Sequence, residues 1–294
     1  MTCLALIGCG KWGQNYINCI DKLKGVKLSQ ICDSGLSCIF DGKDIIGTVV
    51  SYKAVRNVDG VIVATPPNTH KEIACHFLSR GAPVLLEKPV AETVEDAELI
   101  FKTARKNKTF VLVDNTHLFS PAFVALRKVV KSWKGPLKIL SEGGNYGPFR
   151  DYSPLLDYGP HDISMCLSIF QSYPHTMSVD RHGDGGNSGY TFNIKLTTGS
   201  AEATIELGNG MFRKKRRFEV SDMYNNAVYD DLSADKLVVN GMPYVVSSTS
   251  PLDVVVRMFV QHIEHKMSDW RFNPKLNVNV MRIIEQLCSM VPDD

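Results

Sequence analysis

The sequence is short of several things that would decide its class at once. It has no CxxC pair among its eight cysteines and no metal-like histidine spacing beside them, so neither a zinc module nor a redox dithiol is written here. Six of those cysteines, Cys3, Cys9, Cys19, Cys32, Cys75 and Cys166, mostly sit among apolar neighbours. They read as small buried hydrophobes in a reducing cytoplasm, and no metal is expected. Apolar runs stop at strand length, as in "VDGVIVA", which excludes a spanning helix. The first residues carry no basic lead before their glycines, so no secretory leader is expected and the location is expected to be cytoplasmic. Charge of one sign is also lacking. Lys and Arg number 33 against 31 Asp and Glu, giving +2, too balanced to point to nucleic acid. Neither repeats nor low-complexity segments occur.

What is present begins with alternation. "CLALIG", "VKLSQIC", "VDGVIVA", "PVLLE" and "TFVLVDN" are short, near-continuous apolar runs. Between several of them lie segments of helical period: "GQNYINCIDKL", "THKEIACHFLSRG" and "TVEDAELIFKTARKN", the last capped by Thr93. This order predicts a doubly wound parallel sheet, an α/β domain of Rossmann type, over residues 1–118. The usual second helix is poorly written, because "SGLSCIFDGKDIIGTVVSYKAVRN" holds three glycines and little periodicity.

Gly8, Gly10 and Gly13 form G-x-G-x-x-G between the first strand and the first helix, where the motif carries meaning. The first glycine permits a tight turn, the second lets backbone approach a pyrophosphate, and the third lets helix and strand pack. The helix N-terminus behind them attracts phosphate. Lys11 and Trp12 belong to the same loop. Asp33 ends the second strand, twenty residues after Gly13, where a carboxylate takes ribose hydroxyls and repels a 2′-phosphate. NAD is therefore expected in preference to NADP.

Residues 119–294 read differently. "SPAFVALRKVVKS" is a helix with Ser120 before Pro121. From about Tyr190, short strands separated by turns suggest an antiparallel meander, followed by helices near 251–267 and 276–291. The expected second domain is α+β with a largely antiparallel sheet. The basic run "RKKRRF" at 213–218 is expected to be a solvated or edge-protecting cluster at a strand start.

Two stretches concentrate chemistry. "LLEKP" puts Glu87, Lys88 and Pro89 at the mouth of a buried strand. They are either an ordinary solvated strand end or a cofactor-side lysine. "LLDYGPHD" puts Asp157 and His161 four residues apart around a helix entrance, with Pro160 suited to the first turn. A histidine there is either a helix-end hydrogen-bonder or a base.

With "GCGKWG", "ATPPNTH" at 64–70, "EKP" at 87–89, "HLFSPA" at 117–122 and the Asp157/His161 pair in this order, the chain resembles the Gfo/Idh/MocA oxidoreductases over nearly its full length. The resemblance implies an NAD-dependent dehydrogenase acting on CH–OH groups. Its expected substrate is a ring secondary alcohol of a sugar or nucleotide sugar. It implies that Lys88 reaches the substrate hydroxyl beside the nicotinamide and that Glu87 contacts the nicotinamide-side ribose. Pro89 is expected to follow a cis peptide. Thr65, Pro66, Asn68 and His70 match a loop along the nicotinamide half. Lys88, Asp157 and His161 are the expected catalytic set, with the choice of base between His161 and Lys88 left open. Arg150 is a candidate for a substrate carboxylate or diphosphate. A homodimer or homotetramer is expected, with no nucleic-acid or membrane partner. Two other classes remain: a non-catalytic dinucleotide- or sugar-binding regulator, and a reductase of a non-sugar substrate such as the biliverdin reductases.

Overall fold

A computed structural model describes residues 1–33, 35, 47–170, 172–186 and 188–291. Most of the poorly written second-helix segment therefore lies outside the described residues. In chain order the elements begin with β1 (Thr2–Ile7), α1 (Lys11–Ile20), β2 (Val26–Cys32), β3 (Thr48–Val49) and β4 (Gly60–Val63). Next come α2 (His70–Leu78), β5 (Val84–Glu87), α3 (Val94–Lys106) and β6 (Val111–Asp114). Then follow α4 (Pro121–Val130), β7 (Leu137–Tyr146), α5 (Pro154–Phe170), β8 (Thr176–Gly185) and β9 (Gly189–Thr197). The chain continues through β10 (Ala201–Gly208), β11 (Gly210–Ser221), β12 (Asn226–Asp230), β13 (Leu237–Val239) and β14 (Met242–Pro243). It closes with α6 (Pro251–His265) and α7 (Pro274–Met290).

The chain divides into two compact units, Met1–Thr116 with Ser250–Val278, and His117–Thr249 with Asn279–Asp294. The boundary near 118 that the sequence suggests misses one exchange: 250–278 belongs to the first unit. The reason is long-range packing. Phe259 and Ile263 of α6 lie so close to β4 that a side chain at Gly60 would meet Ile263 Cδ1 at 2.7 Å. Lys22, just past α1, pairs with Asp253 of α6 at 3.0 Å. Nothing local in 250–278 announces these contacts.

In the first unit six strands run in the order β3-β2-β1-β4-β5-β6, every pair parallel. All residues of β4, β5 and β6 are buried, which explains their unbroken apolar character. The order reverses beside β1, and the glycine turn follows β1. This switch point is where open α/β sheets bind ligands.

The second unit carries an eight-stranded sheet, order β14-β13-β12-β11-β7-β10-β9-β8, antiparallel except between β7 and β10. Strand β8 precedes the expected meander. Its burial pattern is mostly exposed, as befits an edge, so its sequence gives little apolar signal. "PYVVSS" yields only Met242–Pro243, and Val245 is exposed. The basic run sits on β11, which lies between β12 and β7 and is no edge. Arg213 and Lys214 are exposed, while Lys215 and Arg217 are met by acids on the sheet. Lys215 reaches Glu142 at 2.8 Å and Glu206 at 2.7 Å, and Arg217 reaches Glu219 at 2.6 Å.

Helix α5 begins six residues before Pro160. Ser153 caps it, its hydroxyl accepting from Leu155 N–H and its carbonyl from Leu156 and Asp157 N–H. Pro154 is thus the proline of the first turn, and Pro160 sits inside the helix, leaving the Leu156 carbonyl without its usual donor. Ser141 of β7 donates to Asp162 at 2.6 Å and fixes the helix to the sheet.

Candidate functional sites in the two units

The glycine turn has the geometry a dinucleotide needs. Gly8 has φ of +89°, and a Cβ there would lie 2.5 Å from the Ala64 carbonyl oxygen. At Gly13 a Cβ would lie 2.3 Å from the Gly8 carbonyl oxygen, so helix and turn touch only because the side chain is missing. At Gly10 a Cβ would meet nothing within 4 Å. Open space in front of an exposed glycine, at a helix N-terminus, is the cradle through which phosphate oxygens reach backbone N–H groups. Asp33 leaves β2 and its Oδ2 accepts from Cys9 N–H of the turn at 2.6 Å. Its Oδ1 accepts from Gly35 N–H at 2.8 Å. The acid is therefore anchored to the phosphate turn. Lys11 and Trp12 are both exposed at the start of α1. These residues fit a bound nicotinamide dinucleotide.

Four residues around the loop after β4 divide in two. Pro66 and Asn68 are exposed and Thr65 is half-buried. His70 has no exposed surface: its ring nitrogens lie 2.9 Å from the Pro89 and Thr65 carbonyl oxygens. It is closed off from any ligand, so its part in a cofactor site is to hold this loop against the turn after β5. The Lys88–Pro89 peptide is cis.

Lys88 is half-buried at the end of β5, whereas Glu87 is turned inward and 7% exposed. Glu87 Oε1 accepts from the Trp12 indole N–H, and the Tyr16 hydroxyl lies 2.5 Å from the same oxygen. Its Oε2 accepts from Lys88 N–H at 3.2 Å. Tyr16 also lies 2.6 Å from Asp114 Oδ2, and Thr116 donates to Asp114 Oδ1 at 2.9 Å. Burial pushes both carboxyls upward, Asp114 to about 6, and the nearby Asp114 charge adds to the rise of Glu87. Any ribose contact by Glu87 has to be made in addition to these partners. Neither Tyr16 nor Asp114 stands out in the sequence. One signal was there: β5 and β6 both end in an acid, and Glu87 pairs with Asp114 in the ladder.

In the second unit, Asp157 and His161 lie one turn apart on α5. Every other residue of that helix is buried; His161 alone is half-exposed. Asp157 Oδ2 is held by Arg150 Nε at 2.8 Å. Arg150, expected as a substrate contact, is thus also the partner of Asp157, and its cation lies 5.7 Å from the Tyr152 ring centre. The His161 ring meets His117 edge-on, with centres 5.0 Å apart. His117 Nδ1 lies 2.9 Å from the Tyr229 hydroxyl, whose acidity burial suppresses. His117 and Tyr229 back the candidate base, and only the long-range fold brings them there.

A parallel sheet with this glycine turn and an anchored acid after β2 defines a dinucleotide-binding protein. The Gfo/Idh/MocA family model, an oxidoreductase family with an NAD-binding Rossmann fold, matches residues 3–115. A crystal structure from Magnetospirillum magnetotacticum MS-1, provisionally described as an oxidoreductase, is 31% identical. It covers 97% of this chain and 98% of its own, with a TM-score of 0.88. The chain belongs to the Gfo/Idh/MocA oxidoreductase family. The rhizopine catabolism protein MocA of Rhizobium meliloti is 29% identical over 44% of this chain. Inositol 2-dehydrogenase 2 of Saccharopolyspora erythraea is 26% identical over 55%. The matched stretches span only 42% and 52% of those two relatives' own lengths. UDP-N-acetylglucosamine 3-dehydrogenase from Acidithiobacillus ferrooxidans shares the fold, at 18% identity and a TM-score of 0.83, covering 98% of this chain and 97% of its own.

Proposed function

We propose that this chain is an NAD-dependent dehydrogenase that transfers a hydride between a ring secondary alcohol of a sugar or nucleotide sugar and the nicotinamide. The observation that carries the reading is the end of β5. There a half-buried Lys88 follows a buried acid at the ligand-binding edge of a parallel sheet, and that acid is tied through Trp12 to the glycine turn. The names of the inositol and UDP-sugar dehydrogenases support the substrate class. Asp33 supports NAD over NADP, because a fixed carboxylate takes ribose hydroxyls and repels a 2′-phosphate.

When bound, the nicotinamide supplies the hydride acceptor. The protein's own work is with the proton and the position of the alcohol. In the first unit Lys88 is the candidate hydroxyl clamp and proton relay, and in the second unit His161 is the candidate base, an imidazole being suited to this near neutral pH. Asp157, with Arg150, orients the substrate. The active form is a homodimer or homotetramer in the cytoplasm, and the open face of the second sheet, with its ion pairs around Lys215 and Arg217, makes the subunit contact.

The test is NADH appearance by absorbance, with NAD⁺ and a panel of free sugars, cyclitols and UDP- or dTDP-linked sugars. Signal with one class, lost in Lys88→Ala, is the expected result. Silence in both directions, including keto-sugars with NADH, while NAD⁺ still binds, contradicts the reading and favours a regulator.

A further inference from the structure

The cluster behind Lys88 has one hydrogen too few for the bonds it makes. Tyr16 is fully buried and its hydroxyl oxygen lies 2.5 Å from Glu87 Oε1 and 2.6 Å from Asp114 Oδ2. A phenol has a single hydrogen, and an ionised carboxylate has none to give. Two contacts that short therefore need a second hydrogen, carried by one of the carboxyls. Glu87 already faces the indole N–H of Trp12 and the N–H of Lys88, while Asp114 faces one hydroxyl, that of Thr116.

We propose that Tyr16 and Asp114 are positioning residues of the dinucleotide site, forming with Glu87 a buried pocket that keeps one hydrogen between two carboxyl groups and gives it up when the oxidised, cationic nicotinamide binds. The proposal rests on the NAD-dependent reading above. The pocket lies at the ends of β5 and β6, and Trp12 fastens it to the phosphate turn, so it backs the cleft itself. With its hydrogen the pocket carries one negative charge; without it, two. A cationic ring nearby favours the second state, whereas the neutral reduced ring does not. Binding of the oxidised cofactor thus releases a proton to solvent, and its affinity rises with pH through about 6, where burial sets the Asp114 carboxyl.

Other charged and titratable groups lie around the pocket. Lys88 opposes the ionisation cost of both acids. On α1, Cys19 faces Asp114 and has its thiol pushed up to about 12, chiefly by burial and by a hydrogen bond with Asp253 of α6. Asp253 is in turn neutralised by Lys22. Tyr16 stays a phenol, its acidity suppressed by burial and by both carboxyls.

The experiment is calorimetric titration of the whole protein with NAD⁺ and with NADH, in buffers of different ionisation enthalpy, at pH values on both sides of 6. Proton release with NAD⁺ and none with NADH is expected. NAD⁺ affinity should rise roughly tenfold for each unit by which binding lowers the pocket's titration point. Asp114→Asn keeps the bond, because an amide N–H replaces the acid O–H, but it has no proton to lose. It should bind both dinucleotides with no release and a flat pH profile. The free protein supplies a second readout: an infrared band of a protonated buried carboxyl that is present below about pH 6 and fades above it, absent in Asp114→Asn and shifted in Tyr16→Phe. Below about pH 6, NAD⁺ binding without release, equal release in Asp114→Asn, or a missing band overturns the proposal. Proton-releasing NAD⁺ binding without turnover on any sugar would instead sink the dehydrogenase reading alone. Failure to bind either dinucleotide overturns both.

Discussion

The two units bury acid in opposite ways. In the first, Glu87 and Asp114 stand on neighbouring strands with a phenol between them. In the second, Asp157 is met directly by a guanidinium at 2.8 Å. Like charges held together need a proton, and their state follows pH; an opposite pair stays ionised and acts as a fixed clamp. A third acid, Asp162, is buried with the Ser141 hydroxyl on its carboxylate and is pushed up to about 6 chiefly by burial, with the Ser141 bond and the Arg216 charge opposing the rise. It is the single-site control for the shared pocket.

The largest expected effect falls on Lys88. Lys88→Ala should lower kcat by about 10²–10⁴-fold, read by NADH absorbance, with NAD⁺ binding retained. The acids come next. Their folded pKa values are raised, so between about pH 4 and 6 the native state holds more protons than the unfolded chain. Stability from these groups is therefore present at low pH and lost as pH rises through about 6. Asp114→Asn and Asp162→Asn should each stabilise at pH 7 by on the order of 1–3 kcal/mol, and by little at pH 4. Thermal unfolding at the two pH values checks this; a gain independent of pH would break the comparison.

The opposite pair should behave the other way. Arg150→Ala leaves a buried Asp157 without its cation, but Arg150 is itself half-exposed, so the loss is only about 1 kcal/mol. The double variant Arg150→Ala/Asp157→Asn should recover most of it, as denaturant unfolding would show. The smallest effect is a neutral reference: Thr93→Ala removes the cap on Asp96 N–H at the start of α3 and should cost about 1 kcal/mol at every pH.

The same contrast explains what could be read in advance. The glycine turn, Asp33, the Thr93 cap and the alternation of the first unit are local patterns, each written within a few residues, and the structure carries them. The start of α5 was open to misreading because two prolines, Pro154 and Pro160, each suit a first turn. Ser153 decided for the earlier one through its cap. Helix α6 joins the first unit through Gly60, about two hundred residues away in sequence, and no local signal reports that. Tyr16, Asp114, His117 and Tyr229 are ordinary core residues until the fold brings acids and rings together.

The central claim is hydride transfer from a sugar carbon to the cofactor. The most direct test takes the sugar that the absorbance panel identifies, deuterated at its ring carbinol carbons, and follows the label by mass spectrometry of the NADH produced. One deuterium per NADH, with none in solvent, is the predicted result. NADH without deuterium, or label recovered only in water, would contradict the account.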